Sequence, residues 1–166
     1  MSRPAGWLRA GRVGRPHGLD GGFYVGEPNL ALLEVGASVH IGDRARRIVR
    51  RAANGARVVV WLQDCRDRDG AEALRGQQLL AARDTAPTLE ADEWWAEDLE
   101  GCVVHDHGRR VGMVKRMLTL PSCEVLEVTR EADEADLLVP LVRDAVREVD
   151  LEHREIDVDL WFLGED

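Results

Sequence analysis

Four groups of side chains in this chain are of types that could do chemistry. His105, Asp106 and His107 stand together and could begin a metal site. No further ligands follow at matching spacing, and a polar hairpin tip accounts for them more simply. Paired acids recur, at Asp157 and Asp159 and at Glu131, Asp133, Glu134 and Asp136. General acid–base work needs such carboxylates in a cleft with shifted pKa values, whereas a solvated loop or strand face needs only their charge. Cys65 lies between Asp64 and Arg66 with no evident base, and no serine or cysteine stands in a nucleophile motif. The fourth group is the glycine-rich run Gly11 to Gly22, which could cradle a phosphate. A P-loop would need a lysine after the glycines, and none is there. A dinucleotide fingerprint would need a helix next, but Phe23-Tyr24-Val25 reads as a strand. No catalytic constellation, metal site or cofactor site emerges, and the chain reads as a non-enzyme.

The same run is better read as a surface. Glycine takes positive φ without steric cost, so this density marks tight backbone geometry. Gly11, Gly14, Gly18 and Gly21 are the expected turn residues. Between flanking strands they form a shaped β-turn displaying Arg12, Arg15 and His17.

The elements that position these residues read as β throughout. Val35, Ala37, Val39 and Ile41 alternate, as in a half-buried strand ending at Gly42-Asp43. Asn54-Gly55 marks a hairpin before Arg57 to Leu62. One short helix is predicted over Gly70 to Arg75, capped by Asp69 and ended by Gly76. Residues 84–93 are acidic and proline-interrupted, and read as a linker. Beyond it, Gly101 to His105 and Arg110 to Val114 flank a loop at Asp106 to Arg109. Glu124 to Val128 pairs with Leu137 to Val139, and Glu155 to Leu160 alternates. Closure into barrels would remove exposed edges. The expectation is an all-β chain of two small β-barrels, 1–83 and 94–166, joined by a short linker.

Charge separates the halves. Of 22 basic and 31 acidic residues, 14 arginines stand against 8 acids up to Arg83, and 8 basic residues against 23 acids after it. A basic first half suits phosphate, and an acidic second half suits a basic protein, although such charge also serves solubility. No apolar run approaches the ~20 residues of a membrane span. Met1 to Trp7 lacks the apolar stretch of a signal peptide. The three cysteines are scattered and form neither a disulfide framework nor a C-x-x-C pair. A reduced, cytoplasmic location is expected.

Trp94 and Trp95 are adjacent in a chain only 5% aromatic. Neighbours in an extended segment point to opposite sides, so one can pack while the other faces a partner. Alternatively, both wedge between the two domains.

Four segments, in order, resemble the ribosome maturation factor RimM family. They are Gly11 to Gly21, similar to an opening motif ending in H-G-L-x-G; Asp64 to Gly76, similar to a D-R-x-x-A-E-x-L-R-G helix; Asp92-Glu93-Trp94-Trp95 through Gly101, similar to paired aromatics followed by D-L-x-G; and Leu138-Val139-Pro140 with Val149 to Glu152. The resemblance implies an N-terminal six-stranded barrel of translation-factor type and a C-terminal PRC-barrel. It implies a non-catalytic, monomeric assembly factor on the immature small ribosomal subunit, acting through a head ribosomal protein and nearby 16S rRNA. From residue type and position, Trp94, Trp95, Pro140 and Leu141 are the expected partner-binding residues, and Arg12, Arg15 and His17 the ribosome or RNA contacts. A PRC-barrel scaffold or regulatory protein without a ribosomal role is the alternative. Three departures stand out: tryptophans replace the usual paired tyrosines, Gly22 replaces a common Glu, and Leu120 to Val125 lacks the usual Asn-Asp pair.

Overall fold

The computed structural model describes residues 6–131 and 135–165, so Asp133 and Glu134 of the acidic loop lie outside the described residues. The chain divides into two compact units, Met1–Leu89 and Glu90–Asp166, each considered by itself.

The first unit is built from β1 (Trp7–His17), β2 (Gly22–Gly26), β3 (Ser38–Ile41), β4 (Arg44–Asn54), β5 (Arg57–Leu62), helix α1 (Arg68–Leu74) and β6 (Gln78–Ala82). The six strands close into a barrel in the order β1-β2-β5-β4-β3-β6. The inward residues of β1 are Leu8, Ala10, Val13 and Pro16. Their spacing departs from two because the register shifts between Arg9 and Gly11 against β6, and between Val13 and Pro16 against β2.

Those shifts correct the reading of the glycine-rich run. Gly11 and Gly14 lie inside β1 rather than in the turn. A Cβ on Gly11 would stand 2.4 Å from Val25 Cγ1, and one on Gly14 would stand 2.8 Å from the Tyr24 carbonyl oxygen. Both glycines therefore serve close strand approach at the bulges. The turn itself is Gly18 to Gly21.

Other boundaries differ from expectation for local reasons. The strand expected from Val35 begins only at Ser38, because Gly36 turns the chain at φ +94° and leaves Val35 exposed. The β4–β5 hairpin pairs Asn54 with Arg57, so its loop is Gly55-Ala56, with Gly55 at φ +59°. Helix α1 begins two residues early. Asp67, not Asp69, is its N-cap, the carboxylate accepting from the Gly70 N–H at 2.7 Å. Ala71 and Leu74 are its buried face, and the helix packs on β1 and β2.

The second unit holds α2 (Ala96–Leu99), β7 (Val103–Asp106), β8 (Arg109–Thr119), β9 (Glu124–Arg130), β10 (Leu137–Pro140), β11 (Val146–Asp150) and β12 (Glu155–Val158). They form a curled six-stranded half-barrel, β10-β9-β8-β7-β12-β11, in which only the β12–β7 pair is parallel. The pairing of β9 with β10 sets Leu137 opposite Val128 and Val139 opposite Leu126. These four join Leu99, Cys102, Val104, Val114, Ile156 and Val158 in one core. The β7–β8 turn is His107-Gly108, both at positive φ, as a type I′ hairpin requires. Strand β11 gives no alternating pattern, because a register shift between Val146 and Glu148 breaks the period of two. Among the described residues no helix is long and apolar enough to cross a membrane.

Candidate functional site

Two surfaces, one on each unit, gather the singled-out residues. On the first unit the bulges of β1 leave Arg12 and Arg15 both exposed and His17 half-buried at the strand end. Arg12 stands opposite Gly26 on β2 and Gln78 on β6. Arg15 lies over the Tyr24 ring, 4.8 Å from its centroid. His17 Nδ1 is 3.1 Å from the Tyr24 hydroxyl, and its ring meets Trp61 edge-on at 5.9 Å. Arg50 stacks on the other side of this chain of contacts, 3.7 Å from the Trp61 centroid. The Trp61 indole N–H donates to Asp20 at 2.9 Å, and Arg50 reaches the same carboxylate at 3.6 Å. The indole hydrogen bond, with Arg50 and His17 adding to it, holds the Asp20 carboxyl below the usual aspartate range. Arg68 donates to the Gly18 carbonyl at 3.2 Å.

Sequence reasoning missed Arg50, Trp61, Arg68 and Asp20 as members of this surface. Asp20 and Trp61 are 41 residues apart, and the pairing of β2 with β5 joins them. One signal was available: five arginines fall between Arg44 and Arg51. A guanidinium on a ring keeps its charge and loses little of its reach. Such a cluster can hold phosphate.

On the second unit, Trp95 is buried, at 8% exposure, and Trp94 is half-buried against the unit's core. Leu141 packs half-buried on the same core, and Pro140 ends β10 opposite Val125. An ion pair between Asp92 and Arg143 ties the segment carrying Trp94 to the one following Leu141. Leu138 and Val142 are exposed beside them. Burial, and then the charge of Glu93, pushes the Glu124 carboxyl up. The result is an apolar patch with acids at its rim, a form that suits a basic protein surface.

The remaining candidates do other work. Arg147 binds Asp106, Asp157 at 2.8 Å and Asp159 at 3.2 Å, so these acids lock β7, β11 and the end of β12 together. The Arg147 hydrogen bond holds the Asp157 carboxyl low. His105 is half-buried with Glu155 at 3.7 Å, and His107 sits exposed in the hairpin turn. Among the described residues no three His, Cys, Asp or Glu side chains gather as metal ligands. Burial pushes the Cys65 and Cys102 thiols up, away from thiolate character.

Residues 8–86 match the RimM N-terminal domain family, and residues 96–161 match the RimM PRC barrel domain family. A ribosome maturation factor RimM of Salinibacter ruber is 31% identical over 169 residues, covering 93% of this chain and 84% of that protein. Its namesake in Cutibacterium acnes is 39% identical over 152 residues, covering 85% of this chain and 82% of that protein. The solution structure of the N-terminal domain of RimM from Thermus thermophilus is 36% identical, covers 51% of this chain and 98% of its own, and superposes with a TM-score of 0.44.

Proposed function

This chain belongs to the RimM family, and on that premise we propose that it is a ribosome maturation factor of non-catalytic kind. It binds the immature small ribosomal subunit and promotes maturation of the head region, working in the cytoplasm as a monomer. The barrel of residues 1–83 contacts 16S rRNA through Arg12, Arg15 and His17. The PRC unit of residues 94–166 holds a head ribosomal protein through Trp94, Pro140 and Leu141, with Trp95 packed beneath them and 84–93 as the linker.

The observation that carries this reading is the contrast in surface chemistry. The first unit presents arginines laid on aromatic rings, a form suited to nucleic acid. The second presents half-buried apolar side chains with Asp92, Glu93 and Glu124 around them. Trp95 is too buried to serve as an exposed contact in this conformation, so within the pair Trp94 is the residue that meets the partner.

Co-sedimentation with immature and mature small subunits, at low and moderate salt, tests the proposal. Preferential binding to the immature particle, weakening as salt rises, is expected. Trp94→Ala should weaken binding by about 2 kcal/mol, as truncation of a hot-spot tryptophan does, with the circular dichroism of the folded protein retained. Failure of the wild type to bind either particle would overturn the assignment.

A further inference from the structure

Leu19 is 80% exposed at the tip of the Gly18–Gly21 turn. An apolar side chain there gains nothing from the fold. The turn beneath it is nevertheless fixed on every side. Gly21 is at φ +88°, and a Cβ on it would stand 2.2 Å from the Cys65 carbonyl oxygen. A Cβ on Gly22 would stand 2.6 Å from the Trp61 ring. The Asp20 carboxylate is tied to the Trp61 indole, and the Gly18 carbonyl to Arg68. The backbone is therefore pressed onto the barrel, and Leu19 is held outward.

Charge around the tip is of one predominant sign. Arg50 and Arg68 contact the turn residues on either side of Leu19. Arg15 and His17 lie along the Tyr24 ring next to them. The one carboxylate of the turn, Asp20, is held by the indole and pairs with Arg50 at 3.6 Å, while the Arg50 side chain stays 61% exposed to further partners. A rigid apolar tip flanked by Arg15, Arg50 and Arg68 fits a polyanion whose interior is apolar. Nucleic acid has that character, with phosphates outside and base faces within.

We infer that Leu19 is an apolar wedge that inserts against unstacked bases of RNA, while Arg15, Arg50 and Arg68 hold the flanking phosphates. This rests on the RNA-contact reading of the first unit and adds to it the residue that touches the bases. Arginine–phosphate contacts supply affinity that falls with salt, whereas the wedge supplies a term that salt does not screen.

The test is binding of the full chain to a transcript of the small-subunit rRNA head domain, across a salt series. The wild type, Leu19→Ser, Leu19→Met and Arg50→Ala are compared. Leu19→Ser should bind about tenfold more weakly with an unchanged salt slope, because one leucine's contact area is lost and no phosphate contact is. Leu19→Met should restore binding. Arg50→Ala should instead flatten the slope, by about 0.7 to 0.9. Leu19 is a surface tip, so the serine variant should melt as the wild type does. Equal affinity of Leu19→Ser and the wild type would overturn the wedge while leaving RNA contact standing. Failure of the wild type to bind the transcript would overturn RNA contact itself, and the wedge with it. If Leu19→Ser lost affinity for the immature subunit but not for the naked transcript, the occupant would be a protein, and the RNA assignment would fall.

Discussion

The two units differ in how they use arginine. In the first, Arg15 and Arg50 lie on aromatic rings, and Arg47 and Arg68 donate to backbone carbonyls. Neither kind of contact cancels the guanidinium charge, although Arg50 also meets the Asp20 carboxylate at 3.6 Å. In the second, Lys115 sits between Glu127 and Asp136, Arg116 on Glu127, Arg143 on Asp92, and Arg147 among three aspartates. There the positive charge is consumed by the fold, and the surplus carboxylates remain. The contrast is one of degree: in the first unit Arg44 and Arg46 share Asp64, Arg50 meets Asp20, Arg51 meets Glu34 and Arg75 meets Glu72, and in the second Arg154 donates to the Glu100 carbonyl. Its lesson is that net charge understates the difference. One unit keeps cations available to a partner, and the other uses them as internal ties.

The sharpest way to break this comparison is at the turn that organises the cationic surface. Gly21→Ala places a methyl group against the Cys65 carbonyl at a positive φ, and should cost about 3 kcal/mol in a denaturant titration. An unperturbed midpoint would mean the turn is not fixed, and Arg50 and Arg68 would lose their frame. On the second unit, Arg147→Ala leaves Asp106, Asp157 and Asp159 facing one another. It should cost about 1–2 kcal/mol, since charged hydrogen bonds are lost. The deficit should shrink in 1 M salt, about where the Debye length falls to ~3 Å. A deficit independent of salt would show that Arg147 acts through packing of its stem instead.

Acid should separate the units by a smaller effect. In the second unit, hydrogen bonds from Arg147, Arg116, Lys115 and His153 hold Asp157, Glu127, Asp136 and Asp150 below their ordinary ranges. A carboxyl whose folded pKa is depressed contributes stability above its unfolded value and loses it as pH falls through the folded one. Glu124, pushed up by burial, works in the other direction and gains on protonation. In the first unit Asp20 is the carboxyl with a resolved downward shift. Amide exchange followed from neutral pH to about pH 3 should therefore show protection falling further in β7–β12 than in β1–β6. An equal loss in both would mean that these exposed ties contribute little.

Much of the β framework is legible in the sequence, for reasons that are local. The β9–β10 pairing follows from two apolar runs on either side of an acidic loop, and the β7–β8 hairpin from a loop containing glycine. The short helix is legible in kind, but its cap reads two residues late because Asp67 and Asp69 are chemically equivalent candidates. What stays hidden is non-local or interrupted. Gly11 and Gly14 look like turn residues, since close strand approach and a turn both select glycine. Strand β11 is invisible because its bulge breaks the period. Trp94 and Trp95 stand out by type, but their burial depends on chain brought against them from elsewhere.

By itself the sequence determined the separation of charge between the halves, the β character, and the motifs that carry the family resemblance. Each depends on residue type and near-neighbour spacing. Only the tertiary structure decided which cations remain available. Pairing of β5 with both β4 and β2 sets Arg50, Trp61 and Asp20 side by side. Pairing of β12 with both β7 and β11 sets Asp106, Asp157 and Arg147 on one knot. A guanidinium's partner is whatever group the closed backbone brings within about 4 Å, and no spacing along the chain encodes that distance.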